Sequence, residues 1–167
     1  MPEAGDRIRV PVSQEEAWDF AADARNAARW VFGVREVSGA LRHPLLPGDR
    51  LRIRLVAGGR MADSEWQVDR CERPTLLTSS GRAFGATATL RIECLPLSPT
   101  SSEVRYSLVY RLPGGALGVL AARFGIQGIL EVQAKQSVRA LRRLLAASAR
   151  ARSWRPSALE PGDLPSR

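Results

Sequence analysis

Hydrophobic and polar positions alternate with a period of two along most of the chain between Val34 and Leu112. Such alternation predicts β-strands that have one apolar face and one polar face. A shorter run of the same kind, Asp6 to Val12, lies near the N-terminus. Turn sequences rich in glycine, proline and serine separate the runs, so the pattern predicts an antiparallel sheet of about seven strands with one side facing water.

Helical patterns follow the first strand and close the domain. Ser13 is expected to cap a first short helix, with Glu16 completing a capping box. A second short helix is predicted over Arg25 to Trp30, leading into Val31-Phe32-Gly33. From Ala116 to Ala147 the pattern predicts one long C-terminal helix, about 48 Å in length at 1.5 Å per residue.

The first half of this long helix is apolar nearly all round and is interrupted by Gly118, Gly125 and Gly128. Glycine inside a helix costs about 0.5–1 kcal/mol relative to alanine. Three glycines therefore predict close packing, a bend, or room for something beside the helix. A long helix held by a sheet, with space left between them, predicts a container for a small molecule.

The element order is strand, two short helices, about six strands and a long helix, which predicts an α+β domain. Residues 1–147 are assigned to this domain, and residues 148–167, rich in Pro, Ser, Arg and Gly, to a disordered basic tail. No apolar run is long enough to span a membrane and no leader peptide is recognisable. Cys71 and Cys94 are predicted on opposite strand faces, so we expect no disulfide and a cytoplasmic protein.

The chain carries a formal charge of +8 and has a sequence pI of 11.0, which raises the question of a nucleic-acid partner. Arg50, Arg52 and Arg54 alternate with apolar residues along one predicted strand, as on a solvated sheet face. The basic residues also lack the interleaved aromatic residues that stack on bases. We therefore expect no nucleic-acid partner. A module that contacts RNA or another protein through the basic outer face is retained as the third alternative for function, after ligand binding and catalysis.

Three segments carry a family resemblance. The first is Ser13-x-Glu15-Glu16-Ala17-Trp18-x-Phe20-x-x-Asp23, after a strand with Ile8 and Val10. The second is Pro47-Gly48-Asp49, with Val68-x-x-Cys71-Glu72-x-Pro74 downstream. The third is Leu112-Pro113-Gly114-Gly115 before the helix that contains Leu141-x-x-Leu144-Leu145. Together they resemble the START-like superfamily, also called SRPBCC or the birch-pollen-allergen fold, and within it the polyketide cyclase/dehydrase subfamily.

The resemblance implies a helix-grip fold, in which the sheet wraps around the long C-terminal helix. It implies that a hydrophobic small molecule, such as a lipid, steroid or polyketide, is held between sheet and helix, without a cofactor. Some members close and dehydrate polyketide rings in that cavity, so a cyclase or dehydratase is the second alternative. The sequence determines neither the ligand nor the oligomeric state.

Alternation directs several polar side chains toward the predicted cavity. Tyr106 and Tyr110 share the face of Leu108, while Arg70 ends its strand on the inward face and Arg82 does so if its strand has the matching register. The resemblance implies that an interior arginine stabilises an oxyanion and an interior tyrosine donates a proton. Alternation alone selects Arg82 or Arg70 for the first role and Tyr106 or Tyr110 for the second. The alternatives are tyrosines bonded to backbone carbonyls and arginines that extend to the rim.

The candidate catalytic residues are therefore Arg82, Tyr106 and Tyr110. The candidate ligand-binding residues are Trp30, Phe32, Trp66, Arg70, Phe84, Leu108, Leu120 and Phe124. All of them except Arg70 could instead be ordinary core. The single histidine, His43, precedes Pro44 in a turn-rich loop, and we interpret it as a surface or loop-packing residue. With one histidine and two separated cysteines, no metal site is predicted.

Overall fold

The protein is built on one antiparallel sheet. The computed structural model describes residues 3–83, 85–112, 114–115 and 125–154. Its strands are β1 (Glu3–Val10), β2 (Val34–Gly39), β3 (Arg50–Ala57), β4 (Arg60–Glu72), β5 (Leu76–Ala83), β6 (Ala86–Ser98) and β7 (Ser101–Arg111). Their spatial order is β1-β7-β6-β5-β4-β3-β2, and every neighbouring pair is antiparallel. The predicted seven-stranded α+β architecture is confirmed.

Short helices connect β1 and β2, which lie at opposite edges of the sheet. Helix α1 (Gln14–Ala21) begins after Ser13, whose Oγ accepts a hydrogen bond from the Glu16 amide at 3.2 Å. This confirms the predicted cap, an interaction typically worth about 1 kcal/mol. The second predicted helix is divided into a 3₁₀ turn (Ala24–Asn26) and a single-turn helix, α2 (Ala27–Trp30).

The C-terminal helix, α3 (Ile126–Ser153), differs at both ends from the prediction. Gly125 has a left-handed backbone with φ of +69°, so a single helix cannot run through this position. At the other end, α3 extends six residues beyond the predicted boundary at Ala147 because Ala149 packs on the core and Arg152 pairs with Glu16 of α1. The rest of the expected tail, from residue 155 onward, lies outside the described residues.

The inner face of the sheet and α3 form the hydrophobic core. Ala134, Val138, Leu141 and Leu145 of α3 are at most 2% exposed, which confirms the predicted apolar stripe. This helix packs mainly against β1, with further contacts to α2 and β7. Because α3 packs mainly against one edge strand, much of the inner sheet face is available to line a cavity.

A β-bulge in β4 changes which side chains face the core. Val68 pairs with Ser79, but Arg70 pairs with Thr78, so Asp69 is an extra residue in β4. One extra residue reverses the alternation of faces along the remainder of a strand. Arg70 therefore points to the outer face, and Cys71 takes the inward direction that simple alternation predicts for Arg70.

The same bulge also changes the direction of Cys71 from the one predicted. Cys94 is buried and Cys71 packs against the core, so both lie on the inner side and the expected opposite faces are wrong. Both thiols are nevertheless free. Strand β5 separates β4 from β6, and two strand spacings of about 5 Å exceed the Cα separation of about 7 Å that a disulfide can bridge.

The outer face of the sheet carries paired charges. Arg50, Arg52 and Arg54 of β3 are exposed, as the alternating pattern predicts. Arg54 forms ion pairs with Asp63 at 3.0 Å and with Glu36 at 3.1 Å, while the guanidinium of Arg52 lies 3.5 Å from the carboxylate of Glu65. Much of the positive charge on this face is therefore balanced by carboxylates.

Candidate functional site

A large cavity lies between the inner sheet face and the helices. Its volume is about 1800 Å³, and its described lining is mainly aliphatic. The sheet contributes inward side chains at every second position of several strands, since neighbouring residues of a strand point to opposite faces. They include Ile8, Ile53, Val68, Leu77, Leu90 and Leu108. On the helical side, the wall is completed by α2 and by side chains along most of α3, from Ile126 to Arg150.

Trp30 of α2 and Tyr106 of β7 meet at this wall in an edge-to-face contact, with ring centroids 5.5 Å apart and an interplanar angle of 80°. Both residues line the cavity and are at most 3% exposed. The Trp30 Nε1 donor is buried and has no hydrogen-bond partner among the described residues. The Tyr106 hydroxyl likewise forms no hydrogen bond within this part of the chain. These two polar groups of the cavity wall therefore have no hydrogen-bond partner among the described residues.

Burial also determines the protonation of the tyrosines. It raises the pKa of Tyr106 far above its ordinary value, because the phenolate would lose its solvation. Burial, followed by the negative charge of Glu131, raises the pKa of Tyr110. Both side chains are therefore neutral hydroxyl donors at physiological pH. Tyr106, Leu108 and Tyr110 all line the cavity, as their spacing of two residues predicts.

Trp66 forms a flat section of the wall. Its Nε1 donates to the buried Ser64 Oγ, two residues earlier on the same face of β4. Its ring lies against the backbone of Gly81, its register partner on β5, and a Cβ added to Gly81 would be 2.4 Å from the indole Cδ2. Glycine at this position lets the indole lie flat on the neighbouring strand.

Ser79 is a lining residue that the sequence did not identify. It is 4% exposed, lines the cavity, and its hydroxyl forms no hydrogen bond within the described part of the chain. Its inward direction follows from its pairing with Val68. Alternation within β5 alone gave an ambiguous register, and only the pairing with β4 resolves it.

Phe32 lies at the cavity entrance, with 53% of its surface exposed. Its backbone is fixed to α3 from both sides: the amide donates to Ser137 Oγ at 2.9 Å, and the carbonyl accepts from Gln133 Nε2 at 3.0 Å. Ser137 in turn donates to the Gln133 carbonyl at 2.7 Å. These α3 residues, which the sequence did not single out, hold the turn after α2 against the helix.

The two arginines expected inside the cavity lie outside it. Arg70 is exposed and its guanidinium is 2.6 Å from Glu72, because the bulge at Asp69 turns it outward. Arg82 is also exposed, on the outer face of β5 opposite Glu65 and Thr87. The inward direction expected for Arg70 is wrong, and the register of β5, which the sequence left open, turns Arg82 outward. Three other candidates, Phe84, Leu120 and Phe124, lie outside the described residues.

His43 belongs to a polar cluster away from the cavity. Its Nε2 is 3.1 Å from Asp19, and Arg73 donates two hydrogen bonds to the same carboxylate at 2.9 and 3.0 Å. Arg73 in particular lowers the pKa of Asp19, and His43 adds to this effect against the opposing influence of burial. Within the described ranges, no three His, Cys, Asp or Glu side chains form a group that could hold a metal ion.

This fold, a sheet and a C-terminal helix enclosing an apolar cavity, defines a START-like helix-grip protein. The model of the family described as "Polyketide cyclase / dehydrase and lipid transport" matches residues 1–146, and the chain belongs to this family. No curated protein matches the chain. Among the described residues, no helix is both long and apolar enough to cross a membrane.

Solved structures share the fold at low sequence identity. A protein from Thermus thermophilus is 17% identical with a TM-score of 0.72, over 89% of this chain and 99% of that one. The Zhui aromatase/cyclase from Streptomyces sp. R1128 is 13% identical with a TM-score of 0.72, over 91% and 98%. A START superfamily protein from Mycobacterium smegmatis is 13% identical with a TM-score of 0.62, over 90% and 99%.

Proposed function

We propose that the protein binds a hydrophobic small molecule, polyketide-, lipid- or steroid-like, in the cavity between sheet and α3. The observation that carries this proposal is the apolar cavity of about 1800 Å³, whose wall includes Trp30 Nε1 and the Tyr106 hydroxyl, donors without a partner among the described residues. Typical sites for small ligands measure about 300–1000 Å³, so an extended or polycyclic molecule would fit.

The uncommitted donors support a ligand over a merely loose core. A buried donor without a partner costs about 1–3 kcal/mol. A ligand that places a carbonyl or ether oxygen beside Trp30 and Tyr106 would recover part of this cost, while its hydrocarbon body would cover the aliphatic lining. The family description supports the same class of ligand. Two free cysteines fit the cytoplasmic location that belongs to this proposal.

Blocking the cavity from one strand provides the test. Ala88 of β6 lines the cavity, and its neighbour Thr89 is exposed on the outer face. We expect the protein to enhance the fluorescence of the neutral apolar probe N-phenyl-1-naphthylamine, Ala88→Trp to abolish this enhancement, and Thr89→Trp to retain it. Native mass spectrometry of the purified protein would identify a retained ligand. Equal probe affinity of both variants would refute binding in this cavity.

The second candidate function is ring closure or dehydration of a polyketide-type substrate. The buried Tyr106 hydroxyl favours it, since a neutral donor in an apolar site can polarise a substrate carbonyl so that an enolate attacks it. Tyr110, two residues after Leu108 on the same strand face, is the second donor. Arg82 has no role in this mechanism because it lies on the outer face.

Reconstitution with a polyketide synthase separates binding from catalysis. If the protein is a cyclase, Tyr106→Phe and Tyr110→Phe should change the product profile while the affinity for N-phenyl-1-naphthylamine is retained. Arg82→Gln is the matched outer-face control and should leave the products unchanged. Identical products with and without the protein would reject the cyclase and leave the binding function in place.

A further inference from the structure

The charged residues that line the cavity are nearly all of one sign. Asp23 is the one acidic side chain in the described lining, and it is neutralised by Arg25, whose Nη2 lies 2.6 Å from its carboxylate. Against it stand six arginines, which we call the arginine rim: Arg29, Arg35, Arg139, Arg142, Arg143 and Arg150. An apolar interior is thus combined with a cationic border.

Among the described residues, the arginine rim lacks the carboxylate partners that nine other arginines have. Nine arginines elsewhere form ion pairs with carboxylates, namely Arg25, Arg42, Arg52, Arg54, Arg70, Arg73, Arg91, Arg105 and Arg152. Within the described residues, no member of the arginine rim forms an ion pair. Arg29 donates to Asn26 Oδ1 at 3.2 Å, and its guanidinium carbon lies 5.1 Å from the Phe20 ring centroid, contacts that leave its charge unbalanced.

Helix geometry brings four members of the rim to one side of α3. Arg142 and Arg143 follow Arg139 by three and four positions, and Arg150 follows Arg143 by seven, spacings that place side chains on neighbouring parts of one helix face. Ala140 and Ala146 line the cavity between them, and α2, which carries Arg29, packs against α3. Short alanine side chains leave the guanidinium groups accessible to a ligand that extends out of the cavity.

We propose that the natural ligand is an anionic amphiphile, with a hydrocarbon body in the cavity and a carboxylate or phosphate head at the arginine rim. This inference rests on the proposed binding function and specifies its ligand class. Guanidinium groups donate paired hydrogen bonds to carboxylate and phosphate oxygens, which neutral heads cannot match. A head placed there also supplies the counter-charge that the described residues do not provide for the six arginines.

The test compares ligands that share one tail. Dodecanoate, dodecyl phosphate and 1-dodecanol, each below its aggregation concentration, are titrated into the full chain by calorimetry at low and high salt. We expect both anions to bind about tenfold more tightly than the alcohol at low salt, from several partly exposed charge pairs. The difference should shrink at high salt because exposed charges are screened. Preference for only one of the anions would identify the head group.

A matched pair of variants locates the effect. Arg139→Gln/Arg143→Gln should remove most of the preference for the anions over 1-dodecanol. Arg7→Gln/Arg9→Gln removes the same charge from exposed positions of β1 outside the cavity and should have little effect. Equal affinity of anions and alcohol, or equal losses in both variants, would overturn the anionic head and leave the binding function intact. Binding of none of the three ligands would overturn both.

Discussion

Replacing Gly81 by alanine should destabilise the protein through a direct collision with the cavity wall. The added Cβ would lie 2.4 Å from Cδ2 and 2.7 Å from Cε2 of Trp66, and 2.7 Å from the carbonyl oxygen of Glu65. Carbon atoms ordinarily approach to about 3.5–4.0 Å, so the indole has to move by about 1 Å. Its hydrogen bond to Ser64 opposes that movement, and overpacking of this kind costs about 1–3 kcal/mol.

Urea unfolding measures this cost. With a slope of about 2 kcal/mol per M, a loss of about 2 kcal/mol lowers the unfolding midpoint by about 1 M. Gly128→Ala is the matched control, because Gly128 is an exposed α3 residue and a Cβ there meets nothing within 4 Å. That variant should gain about 0.5–1 kcal/mol from improved helix propensity. The two glycine-to-alanine changes therefore have opposite expected signs.

If Gly81→Ala unfolds at the same urea concentration as the unmodified protein, Trp66 does not lie across β5 as the structure places it. A destabilised Gly81→Ala should in addition bind N-phenyl-1-naphthylamine more weakly, since the displaced indole enters the cavity. Loss of stability without any change in probe binding would separate Trp66 from the binding site.

Three further predictions concern the hydrogen bond from the Phe32 amide to Ser137, the polar cluster of Asp19, His43 and Arg73, and the thiols. Ser137→Ala removes the acceptor of the Phe32 amide and should cost about 1 kcal/mol, with faster hydrogen exchange at Phe32 as the specific readout. Asp19 has a lowered pKa in the folded state, so its carboxylate stabilises the fold above its ordinary value of 3.8 and loses this effect as the pH falls through the lowered folded value. The stability deficit of Asp19→Asn should therefore be constant at neutral pH and shrink in acid, and a constant deficit down to pH ~2 would contradict the assignment. Burial raises the pKa of Cys94 to about 12, so in a Cys71→Ser variant Ellman's reagent at pH ~8 should modify no thiol until denaturant is added.

Patterns of residues close in sequence were sufficient to predict most of the architecture. The Ser13 cap, the apolar stripe of α3 and the inward faces of Tyr106 and Tyr110 each depend on residues close in sequence, whose spacing alone determines their direction. The prediction failed where one backbone position departed from the regular repeat. Asp69 reverses the alternation in β4 and so turns Arg70 outward, while the left-handed backbone at Gly125 excludes a continuous helix.

The sequence by itself determined the order of elements, the one-sided sheet and the apolar character of the surface between sheet and helix, because periodicity and capping act over a few residues. Only the tertiary structure decided which polar groups meet at the cavity. The contact of Trp30 with Tyr106, the tether from Ser137 to Phe32 and the outward direction of Arg82 depend on strand register and on helix packing between distant segments. Register is a property of paired strands, so a single strand's sequence cannot fix it.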